Sequence, residues 1–353
     1  MRVVLAINHL RFGGAERLVA DLACGLCQRG IQVQLVALGG AEPALSDQAR
    51  AAGVSVHVLG RPVYSIAAAA RLLGVLRKSG ADIVHAHLLP SIAYVSLARK
   101  VRVGRWRLVM TEHNTWNRRR RSALRPADRM IYRSYDRIAC ISDEVRDALV
   151  GWAPETAPKT VVVHNGIPAS HFQKPKTGER IGHPVRILSI GRLTRQKGFE
   201  SLVETMRHLP ECELVIAGDG ELRPELEAQV LATGLRGRVR LIGWTGDVFS
   251  LLRTADVYVQ PSRWEGFGIA AVEAMAAGLP VIVTDVAGLS KVVGSAGLRV
   301  AVDDIAGMRR TIASIVDDQP LRMELSSRGA LRARSFTMDA AVAAYASLYR
   351  GLS

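Results

Sequence analysis

The chain has 353 residues, of which 48% are hydrophobic and 22% charged, and its formal net charge is +15. This balance is typical of a globular protein and excludes a disordered one. No apolar run approaches the roughly 18 residues of a membrane-spanning helix, and the start MRVVLAINHL does not resemble a signal peptide, so neither is expected. The length predicts two domains, and four cysteines are too few for a disulfide framework.

The first half alternates short apolar runs with longer helical patterns. We predict strands over Val3–Ile7, Val33–Leu38, Val54–Val58, Ile83–Ala86, Leu108–Thr111, Arg137–Ile141 and Thr160–Val163. Helical stretches are predicted between the strands, for example over Glu16–Arg29, Ser65–Lys78, Ser91–Arg102 and Ser142–Gly151. Buried strands with intervening helices indicate an α/β domain with a mainly parallel sheet over residues 1–166.

The pattern changes over residues 167–184, which are rich in Gly, Pro and polar residues and are interpreted as a linker. A second α/β domain follows over 185–336. Its strands are predicted over Val185–Ile190, Glu213–Ala217, Arg238–Ile242, Ala255–Val259, Val281–Thr284 and Gly297–Val300. A last amphipathic helix is predicted over 337–353.

The positive charge is concentrated in one segment. Between Arg99 and Arg137 lie thirteen Arg/Lys and three Asp/Glu, a net charge of +10. The segment is either a solvated loop or a surface for anionic lipid head groups, a diphosphate or nucleic acid. The residues proposed for an anionic surface are Arg118, Arg119, Arg120, Arg121 and Arg125.

Ligands of parallel α/β sheets bind beyond the carboxyl ends of the strands, so we searched the loops that follow them. After the first strand of the second domain comes SIGRLTRQKGFESL, in which Arg192 and Lys197 flank a predicted helix start. Two cations beside a helix N-terminus are typical of a diphosphate site. Trp244, which follows another strand, is interpreted equally well as a stacking partner for a base or as a packing residue.

The segment RWEGFGIAAVEAM follows a later strand and carries two glutamates eight residues apart. Glu265 lies in the loop and Glu273 about one turn into the predicted helix. Carboxylates only accept hydrogen bonds, which suits a sugar that offers several hydroxyl donors. Acidic residues stabilised by the helix dipole are the structural alternative.

At this point the motifs resemble a known family. From the start of the chain to its end, the segments are GGAER, HNGI, GRLTRQKG and EGFGIAAVEAMAAGLPVI. This order resembles that of the retaining glycosyltransferases of family 4, which have the GT-B fold. The resemblance covers essentially the whole chain. It implies two Rossmann-like domains with parallel sheets facing a central cleft, an acceptor-binding first domain, a nucleotide-sugar-binding second domain, and a last helix that crosses back to the first.

The resemblance also implies roles for individual residues. Glu273 would hold the ribose and Glu265 the transferred sugar, while Arg192 and Lys197 would neutralise the diphosphate. His113, at the end of a first-domain strand, would contact the sugar's outer hydroxyl. The remaining implied contacts are backbone amides to phosphate and sugar from Phe267, Gly268 and Ile269, closure over the phosphates by Gly13 and Gly14, and acceptor positioning by Glu16. His85 and His87 match less specifically.

The expected activity is therefore transfer of a hexose or N-acetylhexosamine, with retention, from a nucleoside-diphosphate sugar, with UDP favoured and GDP the rival. The basic segment favours a lipid-linked glycan as acceptor, used at the cytoplasmic face of a membrane to build a cell-surface polysaccharide or glycolipid. No cofactor and no metal are expected. The alternatives are a catalytically inactive nucleotide-sugar-binding protein and a GT-B epimerase; a nucleic-acid partner is disfavoured because no nucleic-acid module is visible.

Overall fold

The computed structural model describes residues 1–11, 13–115, 122–172 and 184–352. The chain divides into two units. The first comprises Met1–Gly166 together with Met338–Ser353, and the second comprises Ile167–Thr337. Most of the predicted linker, residues 173–183, lies outside the described residues.

The first unit contains a seven-stranded sheet. Its strands are β1 (Arg2–Ile7), β2 (Gln32–Ala37), β3 (Ser55–Val58), β4 (Ile83–His87), β5 (Arg107–Glu112), β6 (Arg137–Cys140) and β7 (Thr160–Val162). They are joined by helices α1 (Gly14–Gln28), α2 (Pro43–Ala51), α3 (Ile66–Lys78), α4 (Ser91–Lys100), α5 (Arg125–Arg133) and α6 (Asp143–Trp152). The strand order is β3-β2-β1-β4-β5-β6-β7 and every pairing is parallel, so the predicted parallel sheet is confirmed.

The second unit contains a six-stranded parallel sheet in the order β10-β9-β8-β11-β12-β13. Its strands are β8 (Val185–Ile190), β9 (Cys212–Ala217), β10 (Val239–Gly243), β11 (Val257–Gln260), β12 (Val281–Thr284) and β13 (Leu298–Val300). Its helices are α7 (Phe199–Thr205), α8 (Arg223–Ala232), α9 (Val248–Thr254), α10 (Ile269–Ala276), α11 (Ala287–Val293), α12 (Ile305–Asp317) and α13 (Gln319–Ala333). The predicted strand bounds are wrong by no more than two residues at either end.

The last helix, α14 (Met338–Arg350), belongs to the core of the first unit and packs against α1. The two helices approach closely at Gly25, where an added Cβ would lie 2.5 Å from Val342 Cγ2. Val342, Tyr345 and Tyr349 are buried there with residues of α1 and β1. Along the chain, the last part of the first unit therefore comes after the whole of the second.

Acidic residues at the ends of helices have structural partners. Asp304 and Asp318 are the N-caps of α12 and α13, where each carboxylate accepts a backbone N–H, at 2.8 and 2.9 Å respectively. A carboxylate in this position satisfies a helix amide that has no partner within the helix. Within the described ranges, no helix combines the length and the apolar character needed to cross a membrane.

Candidate functional site

The candidate site of the second unit is built by two loops at the same sheet edge. One loop follows β8 and covers residues 191–198; the other follows β11 and covers residues 261–268. β8 and β11 are parallel neighbours, so both loops emerge at the carboxyl edge of the sheet. The loops are joined by the Arg263 amide, which donates to the Gln196 carbonyl at 2.8 Å, and by the Gln196 side chain, which donates to the Trp264 carbonyl at 3.1 Å.

An ion pair joins the two loops at the position of the predicted functional residues. Lys197 Nζ lies 2.5 Å from Glu265 Oε2, and the two side chains are 17% and 12% exposed. At such low exposure the pair is screened by solvent much less than a surface salt bridge. Two residues 68 positions apart, predicted to bind the diphosphate and the transferred sugar of one ligand, are therefore in direct contact.

A buried chain of hydrogen bonds fixes the position of Glu265. The Tyr258 hydroxyl donates to Gln260 Oε1 at 2.5 Å, Gln260 Nε2 donates to Ser262 Oγ at 3.0 Å, and the Ser262 hydroxyl donates to Glu265 Oε2 at 3.3 Å. Burial raises the pKa of Tyr258 well above its ordinary value, with the Glu273 carboxylate adding to the effect, so the phenol keeps the proton that it donates. The carboxylate is thus held in place before any ligand arrives.

Two glycines permit the close approach of these loops. Gly198, the N-cap of α7, has φ +64°, and an added Cβ would lie 2.3 Å from the Pro261 carbonyl oxygen. An added Cβ at Gly288 would lie 2.3 Å from the Glu265 carbonyl oxygen. The backbone around the ion pair is therefore packed too tightly for a larger residue.

Glu273, predicted to bind the ribose, lies in α10 and is only 6% exposed. Its Oε1 lies 3.4 Å from Nδ1 of His171, a buried residue in a short 3₁₀ helix. The His171 ring stacks on Phe249 with centroids 5.6 Å apart. Burial of a carboxylate costs free energy unless polar partners compensate for the lost hydration. The burial of Glu273 next to His171 therefore indicates that its side chain is held in one place.

The remaining predicted donor residues occupy different environments. Arg192 is exposed, and among the described residues no ion-pair partner faces its guanidinium. Trp244 is 49% exposed, directly after β10. Phe267 is 2% exposed and packs edge-on against Phe336, while Gly268, at φ +88°, caps α10 immediately before Ile269. The arginine and tryptophan are accessible to a ligand, whereas the phenylalanine ring is part of the packing.

In the first unit, the predicted glycine turn precedes α1. Gly13 is the N-cap of the helix, and an added Cβ there would lie 2.2 Å from Glu16 Oε2. The Glu16 carboxylate therefore folds back over the N-terminus of α1, where the helix dipole favours negative charge. Open space surrounds Gly14, since an added Cβ would meet no atom within 4 Å.

Three histidines lie together at the carboxyl edge of the first sheet. His85 and His87 belong to β4, and His113 directly follows β5, the next strand. Burial lowers the pKa of His113 to about 4 and that of His85 to about 3, and it lowers the pKa of His87 well below its ordinary value. All three rings are therefore neutral at pH 7.

The basic segment is described only in part. Arg118, Arg119, Arg120 and Arg121 lie outside the described residues. Arg125, the first residue of α5, donates to the Trp152 carbonyl at 2.9 Å, and its guanidinium lies 5.4 Å from the centroid of the Trp152 ring. Arg125 therefore has a structural role within the first unit, whatever its predicted role at an anionic surface.

Sequence reasoning missed two parts of this site. His171 falls in the segment interpreted as linker, and no sequence motif relates it to Glu273. Tyr258, Gln260 and Ser262 form an alternating polar pattern at the end of a strand, which was available as a signal, because polar residues in a buried strand need partners.

The fold and the residue pattern define the class of protein. The model of the glycosyltransferase family 4 matches residues 12–171, and that of the glycosyl transferases group 1 matches residues 172–332. The chain belongs to the family 4 glycosyltransferases and has the GT-B fold.

The relatives named by these comparisons are themselves glycosyltransferases. The chain is 30% identical to a D-inositol 3-phosphate glycosyltransferase of Xylanimonas cellulosilytica, over 96% of this chain and 91% of that protein. It is 27% identical to a lipopolysaccharide core biosynthesis glycosyltransferase of Rhizobium meliloti, over 92% and 93%. The crystal structure of Anabaena HepE in complex with UDP and glucose matches with a TM-score of 0.86 at 20% identity, over 99% of this chain and 100% of that one.

Proposed function

We propose that the protein is a retaining glycosyltransferase that moves a hexose or an N-acetylhexosamine from a nucleoside-diphosphate sugar to a lipid-linked glycan. The observation that carries the proposal is the Lys197–Glu265 pair, at 2.5 Å in the loops after β8 and β11. A cation for a diphosphate and an acceptor for sugar hydroxyls lie side by side there, as they would at the two ends of the bond that breaks.

The proposed chemistry places charge stabilisation first. As the glycosidic bond to the donor breaks, negative charge develops on the departing diphosphate, and Lys197 and the exposed Arg192 are proposed to stabilise it. Glu265 accepts hydrogen bonds from the transferred sugar and Glu273 from the ribose. A front-face route, in which the leaving phosphate takes the acceptor's proton, is what the family resemblance implies. The proposal needs no metal.

Two kinds of relative support the choice of substrates. Anabaena HepE has been crystallised with UDP, with UDP-glucose, and with UDP and glucose, which supports UDP as the favoured nucleotide and leaves GDP as the rival. Two relatives carry names from lipopolysaccharide core biosynthesis, and another is named as a galactosyltransferase for a diphosphoundecaprenol-linked acceptor. These names support an acceptor used in cell-surface glycan synthesis.

The test is sugar transfer from a panel of UDP- and GDP-sugars, with the donor first chosen by thermal stabilisation. Lys197→Ala and Glu265→Ala are each expected to lower kcat about 100-fold or more, the range seen when a preorganised charge stabiliser is removed. Arg195→Ala is the matched control, because it removes a nearby exposed cation but keeps the backbone carbonyl of residue 195, which accepts a hydrogen bond from Arg263. Binding of a nucleotide sugar without any transfer would identify a catalytically inactive binding protein instead.

Retention is tested separately by NMR of the product. The transferred sugar is expected to keep the anomeric configuration that it has in the donor. An inverted product would refute the retaining mechanism without affecting the assignment of the donor site.

The proposed location is the cytoplasmic face of a membrane, with peripheral attachment through the basic segment. Support comes from the net charge of +10 between Arg99 and Arg137. Full-length protein is expected to float with anionic vesicles and not with neutral ones. Replacement of Arg118–Arg121 by Gln should abolish flotation. Unchanged flotation and full activity of that variant would refute the role of Arg118–Arg121, and a wild type that does not float with anionic vesicles would refute the attachment itself.

A further inference from the structure

The histidines at the carboxyl edge of the first sheet divide into two groups. Both ring nitrogens of His85 have partners: Nδ1 is 2.6 Å from the Tyr349 hydroxyl and Nε2 is 2.8 Å from the Thr111 hydroxyl. Thr111 in turn is 3.0 Å from the Tyr345 hydroxyl. His85 is therefore satisfied by hydroxyl groups of α14 and β5, and it leaves His87 and His113 as a pair.

His87 and His113 share one hydrogen bond. His87 Nδ1 lies 3.3 Å from His113 Nε2, and the ring centroids are 5.6 Å apart. Each ring is neutral and so carries one N–H, and only one of the two facing nitrogens can hold the shared proton. The direction of this bond decides which nitrogen of His113 is protonated, since the proton of a neutral imidazole is placed by the bond that its other nitrogen makes.

The surroundings of His87 decide the direction. His87 is 0% exposed, and its Nε2 has no hydrogen-bond partner among the described residues. If Nδ1 accepted from His113, the N–H of His87 would sit on Nε2, as a buried donor without an acceptor. Orphaned buried N–H groups are rarer than under-satisfied acceptors, because their desolvation is not compensated. His87 Nδ1 is therefore the donor.

We infer that His87 is a positioning residue that holds His113 in the Nδ1–H tautomer. His113 Nε2 accepts the proton of His87, and its own proton then points away from His87 on Nδ1. His113 presents an N–H donor, suited to a lone pair on a hydroxyl or phosphate oxygen. The identity of that ligand rests on the proposed function; the tautomer does not.

The direct test is long-range ¹H–¹⁵N correlation NMR of the full-length protein labelled at histidine. The expected spectrum of the wild type assigns the proton of His113 to Nδ1. In His87→Leu, His113 Nε2 no longer accepts a hydrogen bond, and the intrinsically favoured Nε2–H form of His113 should become the major one. His87→Asn, whose amide can donate from nearly the same place, should keep the wild-type pattern. His57→Asn, on the edge strand β3 of the same sheet, is the control.

Kinetics give a second readout once a donor is known. In His87→Leu the Nδ1–H tautomer of His113 becomes the minor form, and the apparent affinity for the donor falls in proportion to its population. The variant should therefore lower kcat/KM for the donor about five- to tenfold, mainly through KM. His87→Asn should stay within about twofold of the wild type. An Nε2–H pattern for His113 in the wild type overturns the inference, even if His87→Leu does not fold. Failure of all donors with the expected spectrum would refute the proposed function alone.

Discussion

At the scale of single residues, Gly198 shows how one missing side chain sets the geometry of the candidate site. It combines a left-handed backbone conformation, φ +64°, with contact to the Pro261 carbonyl. Both loops of the site depend on that contact, since Lys197 directly precedes the glycine and Glu265 follows four residues after the proline. The glycine therefore belongs to the site through its backbone contact.

Gly198→Ala is predicted to be more destabilising than an alanine at an open position of similar conformation. Gly234 supplies the matched control, because its φ is +69° and an added Cβ would meet nothing within 4 Å. Gly234→Ala carries only the left-handed strain, about 1–2 kcal/mol. Gly198→Ala adds a clash with a carbonyl and should cost at least about 1 kcal/mol more in urea unfolding. Equal losses for the two variants would contradict this account.

Also at the residue scale, the lowered pKa of His113 predicts acid sensitivity. The pKa of His113 is about 4 in the folded protein against an ordinary value of 6.5, so the unfolded chain binds more protons between these values. The stability that follows from the lowered pKa of His113 is fully present above about pH 6.5 and is lost as the pH falls towards 4. The midpoint of thermal unfolding of the wild type should therefore fall as the pH is lowered from about 6.5 to about 4. For His113→Asn, the midpoint should depend less steeply on pH. Identical pH profiles for the variant and the wild type would refute the lowered pKa of His113.

At the scale of elements, aspartates bind neighbouring strands at the amino edges of both sheets. Asp82, Asp136 and Asp256 each directly precede a strand. Each accepts an amide from the start of the adjacent strand at 2.7, 2.7 and 2.8 Å, respectively. A parallel sheet leaves such amides without a partner at its edge, and a carboxylate satisfies them. The same device occurs in both units, although the sequence shows no repeat.

Asp136→Asn tests this device at its strongest instance. The carboxylate also accepts two hydrogen bonds from Arg99, at 2.9 and 3.2 Å, and is 17% exposed. Loss of the charge should cost about 1–2 kcal/mol, moderated by the partial exposure of Arg99. Asp47→Asn is the control, because its pair with Arg50 is exposed and should cost no more than about 0.5 kcal/mol. Similar losses in chemical denaturation would show that the capping role is unimportant.

At the scale of the whole molecule, the first unit is discontinuous in sequence. Residues 1–166 are completed by α14, which buries two tyrosines and links its hydroxyls to His85 and Thr111. Those contacts lie next to the His87–His113 pair, since the His85 and His87 ring centroids are 4.1 Å apart. The last helix is thus packed under the histidine cluster of the first unit.

Removal of residues 338–353 should destabilise the first unit selectively. The truncation exposes the α1 surface around Gly25 and leaves the buried His85 without its Tyr349 partner. Hydrogen exchange should lose protection within Met1–Gly166, while Ile167–Thr337 stays protected. Tyr349→Phe, which removes only the hydroxyl, should cost about 1 kcal/mol. Equal loss of protection in both units would refute the independence of the second.

The strands were predictable because buried parallel strands are continuous apolar runs between turns. Val185–Ile190 and Val281–Thr284 were placed without error. Helices α2 and α5 were given no bounds from the sequence, since both contain proline and polar residues that mask the helical period. The roles assigned to Glu265, Glu273, Lys197 and His113 came from motif resemblance and stay predictions.

The sequence by itself determined two parallel α/β units, the family, and the loops in which the predicted functional residues lie, because strand burial and loop chemistry are local properties of the chain. Only the tertiary structure decided which groups face each other. The contact of Lys197 with Glu265, of His171 with Glu273 and of His87 with His113 depends on strand adjacency and on close backbone approach. Those distances arise only when residues far apart in the chain are packed together.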